Sequence, residues 1–289
     1  MIGVIVKGIG GFYFVKVDDK VYRCKARGIF RKEGIVPRVG DEVSIVVQEG
    51  QESVIDRIFP RRNEFLRPAI ANVDRLIIVM AAMRPEPNLT ILDRFLVMAE
   101  QHRTSVVICL NKIDLDNGEV RRVFAETYKT VYPLVFTSTV TGDGIQTLKG
   151  LMAGKKCCFA GPSGVGKSNL LNRLEGRVIA ETGEISNKSQ RGKHTTRHVE
   201  LYELEGGGLV FDTPGFTSFD ILEAEEDQLA YLYPEMVPLI GKCRYDNCRH
   251  LAEPDCRIRD AVASGSIHRS RYESYCSQMK EIQEKRKYQ

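Results

Sequence analysis

The stretch Gly161-Pro162-Ser163-Gly164-Val165-Gly166-Lys167-Ser168 limits what this chain can fold into more than any other part of it. It satisfies GxxxxGK[ST] at every fixed position. The glycines let main-chain N–H groups turn inward around phosphate oxygens, and a helix has to follow so that its positive N-terminal end faces the same anion. Both flanks agree: Lys156–Ala160 (KCCFA) reads as a buried strand leading in, and residues 168–174 read as a helix leading out. Strand, loop and helix in that order belong to an α/β domain. Within it Lys167 places a cation on the β- and γ-phosphates, Ser168 offers a hydroxyl to Mg2+, and Asn169 extends the nucleotide-contacting set. Cys157 and Cys158 read as core residues rather than as a redox pair.

Strand and helix alternate on both sides of this segment. Residues 75–82 (RLIIVMAA) run apolar without a break, as a strand covered on both faces does. Residues 88–101 have helical periodicity, and residues 105–110 form a second buried strand ending at Asn111. The alternation continues to about Gly215, which predicts a largely parallel sheet. Residues 1–58 have another texture: strands at 3–6, 12–17, 21–25, 42–47 and 53–58, divided by Gly10-Gly11, Asp18-Asp19 and Gly40-Asp41, with no helix. That is the pattern of a small closed barrel of the OB type. Between its third and fourth strands Lys20, Arg23, Lys25, Arg27, Arg31, Lys32 and Arg38 face one acid, Glu33. A solvated loop is the plain reading of that run; a groove for RNA or single-stranded DNA is the functional one. Pro60 through Pro68 reads as a linker.

The phosphate loop does not name the base. Asn111-Lys112-Ile113-Asp114, at the carboxyl end of a buried strand, does so if it reaches the same nucleotide. The Asp114 carboxylate accepts the guanine N1 and N2 protons; adenine offers an acceptor at N1 and would leave it unpaired. Asn111 fixes the loop and contacts N7, and the Lys112 stem lies along the base. Ser138-Thr139, before Thr141-Gly142-Asp143-Gly144, resembles the loop that gives a main-chain N–H to guanine O6. Asp212-Thr213-Pro214-Gly215 follows a buried strand at 208–211; Asp212 holds Mg2+ through water, and Gly215 offers its N–H to the γ-phosphate. Residues 181–197 are polar and include His194-Thr195-Thr196. As a switch, one of the two threonines ligates Mg2+ only while the γ-phosphate is present; as a plain loop, the segment does nothing.

Most GTPases run from phosphate loop through switch threonine and DxxG to the base-reading motifs. Here the base-reading motifs come first and DTPG comes last, so the chain is cut between the switch and base-reading halves of an otherwise unchanged sheet. In this order, with Arg62-Asn63, Arg67-Pro68, Ala71-Asn72-Val73-Asp74 and Arg191-Gly192-Lys193-His194-Thr195-Thr196, the sequence resembles the ribosome small-subunit-dependent GTPase A family over essentially its whole length. The resemblance implies a circularly permuted GTPase acting late in small-subunit assembly, with GTP and GDP, Mg2+ and the small subunit with its 16S rRNA as ligands and partners.

The tail carries a second constellation. Cys243-x4-Cys248-x-His250-x5-Cys256 supplies three thiolates and an imidazole, a closed tetrahedral set for one structural Zn2+. Buried cysteines beside a surface histidine would be the plain alternative. The other five cysteines are scattered, which argues against a secreted disulfide framework. Residues 267–289 read as a helix with Tyr275, Met279 and Ile282 on one face and a basic end at Lys285-Arg286-Lys287.

The fold class expected is therefore multidomain: an OB-type barrel at 1–62, a circularly permuted α/β P-loop GTPase domain at 63–225 and a mostly helical zinc-binding domain at 226–289. No apolar run reaches the roughly 18 residues a membrane helix needs, and no signal peptide is apparent, so a cytoplasmic protein is expected; a monomer is expected too, although nothing in the sequence reveals the oligomeric state. The net charge of +4 says little about partners. Where many GTPases place a water-orienting glutamine after DxxG, this chain has Phe216. Slow turnover alone is expected, with His194 or the bound partner supplying the missing group. The rivals are a nucleotide kinase or metabolic ATPase, an RNA-binding scaffold that uses GTP only as a ligand, and a GTPase serving another RNA or protein.

Overall fold

The computed structural model describes residues 1–47, 52–175, 199–204, 207–212 and 224–287. In chain order the elements are β1 (Ile2–Ile9), β2 (Phe12–Val17), β3 (Lys20–Ala26), α1 (Gly28–Lys32), β4 (Glu42–Val46), β5 (Ser53–Ile58), β6 (Glu64–Phe65), β7 (Ile70–Ala71), β8 (Arg75–Ala81), α2 (Leu89–Gln101), β9 (Ser105–Asn111), α3 (Glu119–Tyr128), β10 (Leu134–Phe136), α4 (Ile145–Met152), β11 (Lys156–Ala160), α5 (Lys167–Glu175), β12 (Glu200–Glu203), β13 (Leu209–Asp212), α6 (Arg257–Ala263) and α7 (Arg269–Lys287). Two compact units result, one from the described parts of 1–77, 145–160 and 167–216, the other from those of 78–144, 161–166 and 217–289.

In the first unit β1 to β5 close into a barrel. β1 pairs β2, β2 pairs β3, β3 pairs β5 in parallel, β5 pairs β4, and β4 returns to β1. This is the five-stranded OB topology. Alternate residues point inward, so Ile5, Val15, Cys24, Val43, Ile45 and Ile55 form a core sealed from water. The sequence pattern predicted no helix here, yet α1 interrupts the basic stretch. Its Phe30 is buried, and that burial is what a polar loop lacks. The stretch is also less bare than its composition implies. Lys25 pairs with Glu52 at 2.6 Å, Arg27 with Asp56 at 2.6 Å and Arg38 with Glu64 at 3.1 Å.

The expected linker at 60–68 is pinned. Arg61 sends Nε to Asp41 Oδ1 at 2.7 Å and Nη2 to Oδ2 at 2.8 Å, and Asp41 is fully buried. Asn63 exchanges two hydrogen bonds with Val73, of 2.9 and 2.8 Å, while Asn72 accepts from Arg62 N at 2.9 Å and donates to Gly40 O at 3.1 Å. Asp74 accepts the Lys156 N–H at 2.7 Å. Beyond the barrel, β1 pairs with β12, β12 with β13 antiparallel, and β13 with β11 in parallel.

In the second unit β9 pairs with β10 in parallel. Helix α2 is capped by Asn88, whose side chain accepts the Ile91 N–H at 3.1 Å. It buries Phe95, Leu96, Val97 and Ala99. Its Val97 joins a core with Leu229, Tyr233, Met236, Ile258, Tyr275, Met279 and Ile282. The buried face of α7 is thus the one the periodicity predicted. Among the described residues no helix is long and apolar enough to cross a membrane.

Candidate functional site

Within the second unit the base-reading motif and the phosphate loop meet. Asn111 ends β9 and is buried; its Nδ2 donates to Val165 O at 3.0 Å, and its Oδ1 accepts from Thr137 Oγ1 at 3.1 Å. Lys112 adopts the left-handed conformation, φ 62°. Its Nζ donates to Gly164 O at 2.7 Å and also to Arg84 O. Val165 is itself buried and anchors the loop tip, whereas Ser163 and Gly164 are exposed. Two glycines are obligatory here. A Cβ on Gly166 would meet Asn111 Nδ2 at 2.5 Å, and one on Gly161 would meet Val79 O at 2.1 Å. Both also have positive φ, 97° and 133°.

The carboxylate that would read guanine is held ready. Ser138, fully buried, donates its hydroxyl to Asp114 Oδ1 at 2.5 Å and accepts the N–H groups of Val140 and Thr141 at 3.2 and 3.1 Å. Asp114 itself is exposed, and Thr139, next to Ser138, is half-buried. Thr137 and Arg84 carry no motif in the sequence; only the fold brings them to Asn111 and Lys112. Pro162 lies in the loop between Gly161 and Ser163, half-buried.

In the first unit Lys167 and Ser168 open α5, directly after Gly166 in the chain, with Asn169 exposed beside them. Burial pushes the Lys167 ammonium down to about 8. Asp212 ends β13, where burial and then the nearby Glu200 carboxylate raise its pKa. A hydroxyl and a carboxylate are hard oxygen donors, the kind Mg2+ takes. His194, Thr195, Thr196 and Gly215, with Phe216, lie outside the described residues.

The four tail residues converge. The Sγ atoms of Cys243, Cys248 and Cys256 and a ring nitrogen of His250 all lie within 4.8 Å of one another. Cys243 Sγ and Cys256 Sγ sit 3.5 and 3.4 Å from His250 Nδ1 and 3.9 Å from each other. Tetrahedral Zn2+ with ordinary Zn–S and Zn–N bonds requires edges of about 3.8 Å between sulfurs and about 3.5 Å from sulfur to nitrogen. The donor set and its spacing therefore fit zinc coordinated through Nδ1. All eight cysteines are free of disulfides. The knuckle is braced from α7: Tyr272 Oη donates to His250 O at 2.7 Å and Tyr275 Oη to Arg249 O at 2.8 Å. Glu253, which no motif marks, accepts the N–H groups of Arg249, Leu251 and Ala252 at 2.7, 2.8 and 3.0 Å.

The family described as RsgA GTPase matches residues 58–222, and the RsgA N-terminal domain matches residues 2–55. The small ribosomal subunit biogenesis GTPase RsgA of Alkaliphilus metalliredigens is 46% identical over 289 residues, covering 99% of each chain. That of Ruminiclostridium cellulolyticum is 43% identical, covering 98% of this chain and 94% of the relative. Among solved structures, YjeQ from Thermotoga maritima superposes with a TM-score of 0.84 at 35% identity, covering 97% of this chain and 98% of its own. YloQ, described as a circularly permuted GTPase, superposes at 0.83 and 34%, covering 98% and 95%.

Proposed function

This chain belongs to the RsgA GTPase family and is a GTP hydrolase, and from that premise we propose that it serves maturation of the small ribosomal subunit, binding that subunit and its 16S rRNA and hydrolysing GTP faster when bound. The reading rests above all on one observation: Asn111 and Lys112 hydrogen-bond the carbonyls of Val165 and Gly164. A base reader tied to the phosphate loop has the reach of one guanine nucleotide, which a kinase or ATPase has no use for.

In this reading Asp114, aligned by Ser138, accepts the guanine N1 and N2 protons, Asn111 meets N7, and the Thr139 main chain backs O6. Residues 161–166 cradle the phosphates and Lys167 balances the charge that builds on the β- and γ-phosphates as the bond to the γ-phosphorus breaks. Ser168, Asp212 and one of Thr195 and Thr196 would hold Mg2+, which would supply further neutralisation of that charge. Gly215 donates its N–H to the γ-phosphate, and His194 orients the attacking water in place of the glutamine that Phe216 displaces. Cys243, Cys248, His250 and Cys256 take one structural Zn2+, and the donor spacing supports that.

We assign docking to residues 1–62 and 226–289 and hydrolysis to residues 63–225. On the barrel the Arg23 guanidinium lies 3.7 Å and the Lys25 ammonium 5.1 Å from the Phe12 ring centre. Lys20, Arg31 and Lys32 are exposed nearby in sequence. A cationic face with an aromatic ring suits nucleic acid. The decisive experiment is GTP turnover with and without purified small subunits. Stimulation by at least tenfold is expected, and equal rates would sink the partner while leaving the hydrolase. His194→Ala is expected to remove most of the stimulated rate; an unchanged rate assigns the missing group to the ribosome.

A further inference from the structure

Strand β1 divides its length between two neighbours. Residues Ile2 to Val4 pair with β4 and close the barrel, and Lys7 pairs with β12. Between them the pairing with β2 shifts register, from Ile5 to Lys7, and such a bulge re-aims the side chain that follows it. Lys7 stands directly opposite Glu200, and Glu200 directly opposite Asp212. Directly opposed residues share a face of the sheet, with Cβ atoms about 4.5–5.5 Å apart. Three side chains from three adjacent strands thus form one row, a cation, a carboxylate and a second carboxylate. The first pair is closed at 2.6 Å from Lys7 Nζ to Glu200 Oε2.

We propose that Lys7 and Glu200 are positioning residues that act through Asp212 and set how tightly the nucleotide site holds its divalent cation, an inference that rests on Asp212 being the Mg2+ carboxylate. Glu200 adds negative potential where the cation sits. Lys7, a residue of the barrel, offsets part of it. The barrel therefore reaches the hydrolytic centre through a charge and not only through main-chain pairing. If a bound RNA drew Lys7 away from Glu200, the cation would be held more tightly.

The row has a built-in control. Lys16 of β2 and Glu203 of β12 form a second ion pair between the barrel and the same strand. Glu203 stands opposite Leu209, which carries no charge. That pair shares the mechanical role of Lys7–Glu200 and lacks the electrostatic one.

The test is the affinity of Mn2+ for the GDP-bound full-length protein, read from the electron paramagnetic resonance of the free ion, with Mg2+ as competitor. Glu200→Gln is expected to weaken the ion by roughly three- to tenfold, and Lys7→Met to tighten it by a few-fold, both shifts shrinking in high salt. Lys7→Arg keeps the charge and is expected to leave the affinity unchanged, as is Lys16→Met. Thermal melting of each variant confirms that it is folded. Opposite signs for Lys7→Met and Glu200→Gln are what a merely structural pair does not produce. The proposal is overturned if both variants shift in the same direction, if Lys16→Met matches Lys7→Met, or if neither moves while Asp212→Asn does. If Asp212→Asn itself leaves Mn2+ affinity intact, the Mg2+ assignment fails and takes the proposal with it.

Discussion

Arg271 and Lys167 are both drawn out of water, and their charges respond in opposite directions. Arg271, on α7, is 1% exposed. Its Nη1 donates to Asp93 Oδ1 at 2.6 Å, and its Nε and Nη2 donate to the two Glu235 oxygens at 2.6 and 3.2 Å. The Tyr233 ring centre lies 4.5 Å from the guanidinium carbon, with Tyr128 at 5.7 Å and Tyr132 at 5.8 Å. Burial alone would lower its pKa, but Asp93 and then Glu235 hold it well above the ordinary arginine value. Lys167 meets the burial penalty, and its pKa falls to about 8. A structural cation is locked by carboxylates the chain provides. In the proposed reading Lys167 is a cation meant for a ligand, poised near neutrality, and the phosphates of that ligand would restore its hold on the proton.

The contrast is broken or sharpened by three measurements, taken from the largest expected effect down. Arg271→Ala leaves Asp93 and Glu235 buried without their counter-charge, and loss of one partner from such a group costs about 3–5 kcal/mol. Chemical denaturation reads that loss directly; a change below about 1 kcal/mol would show that the cage is not what holds α7 to α2. The second measurement is the pH profile of GDP affinity. Unliganded Lys167 titrates near 8 and the phosphate-bound ammonium must titrate higher, so binding above pH 8 takes up a proton. Affinity is full below that pH and falls as pH rises through it, by at most about tenfold per unit. Lys167→Ala should flatten this part of the profile; a flat wild-type curve between pH 7 and 9 refutes the poised lysine. Smallest of all, Lys167→Ala should not destabilise the unliganded protein at neutral pH, because a cation whose pKa burial has lowered costs the fold stability there. A loss comparable to that of Arg271→Ala would make the two cations alike.

How much of the site could be read in advance depends on how far apart its parts lie along the chain. The zinc donors sit within a run of 14 residues, Cys243 to Cys256, so their types and spacing were enough to expect a tetrahedral set, and the structure brings all four together. The phosphate loop was legible from its glycines, although the close approaches of Gly161 to Val79 and of Gly166 to Asn111 were not. Barrel, buried strands and the apolar face of α7 followed from periodicity. That the segment 60–68 is pinned was not legible, because nothing local shows that Arg61 finds a buried Asp41. Helix α1 was missed because its one buried side chain, Phe30, is hidden in a basic run.

Taken alone, the sequence determined which chemistries to expect: a loop suited to phosphates, a carboxylate suited to guanine, three thiols and an imidazole suited to a metal, and an order of motifs that implies permutation. The first three rest on residues close together in the chain, and the last on the order of those sets along it. What only the tertiary structure decided lies between residues far apart, such as Asn111 and Val165 with a separation of 54, Asp93 and Arg271 with 178, and Lys7 and Glu200 with 193. Such pairs leave no local periodicity behind. They form because burying a charge or an amide without a partner costs more than the ordering needed to bring a partner to it.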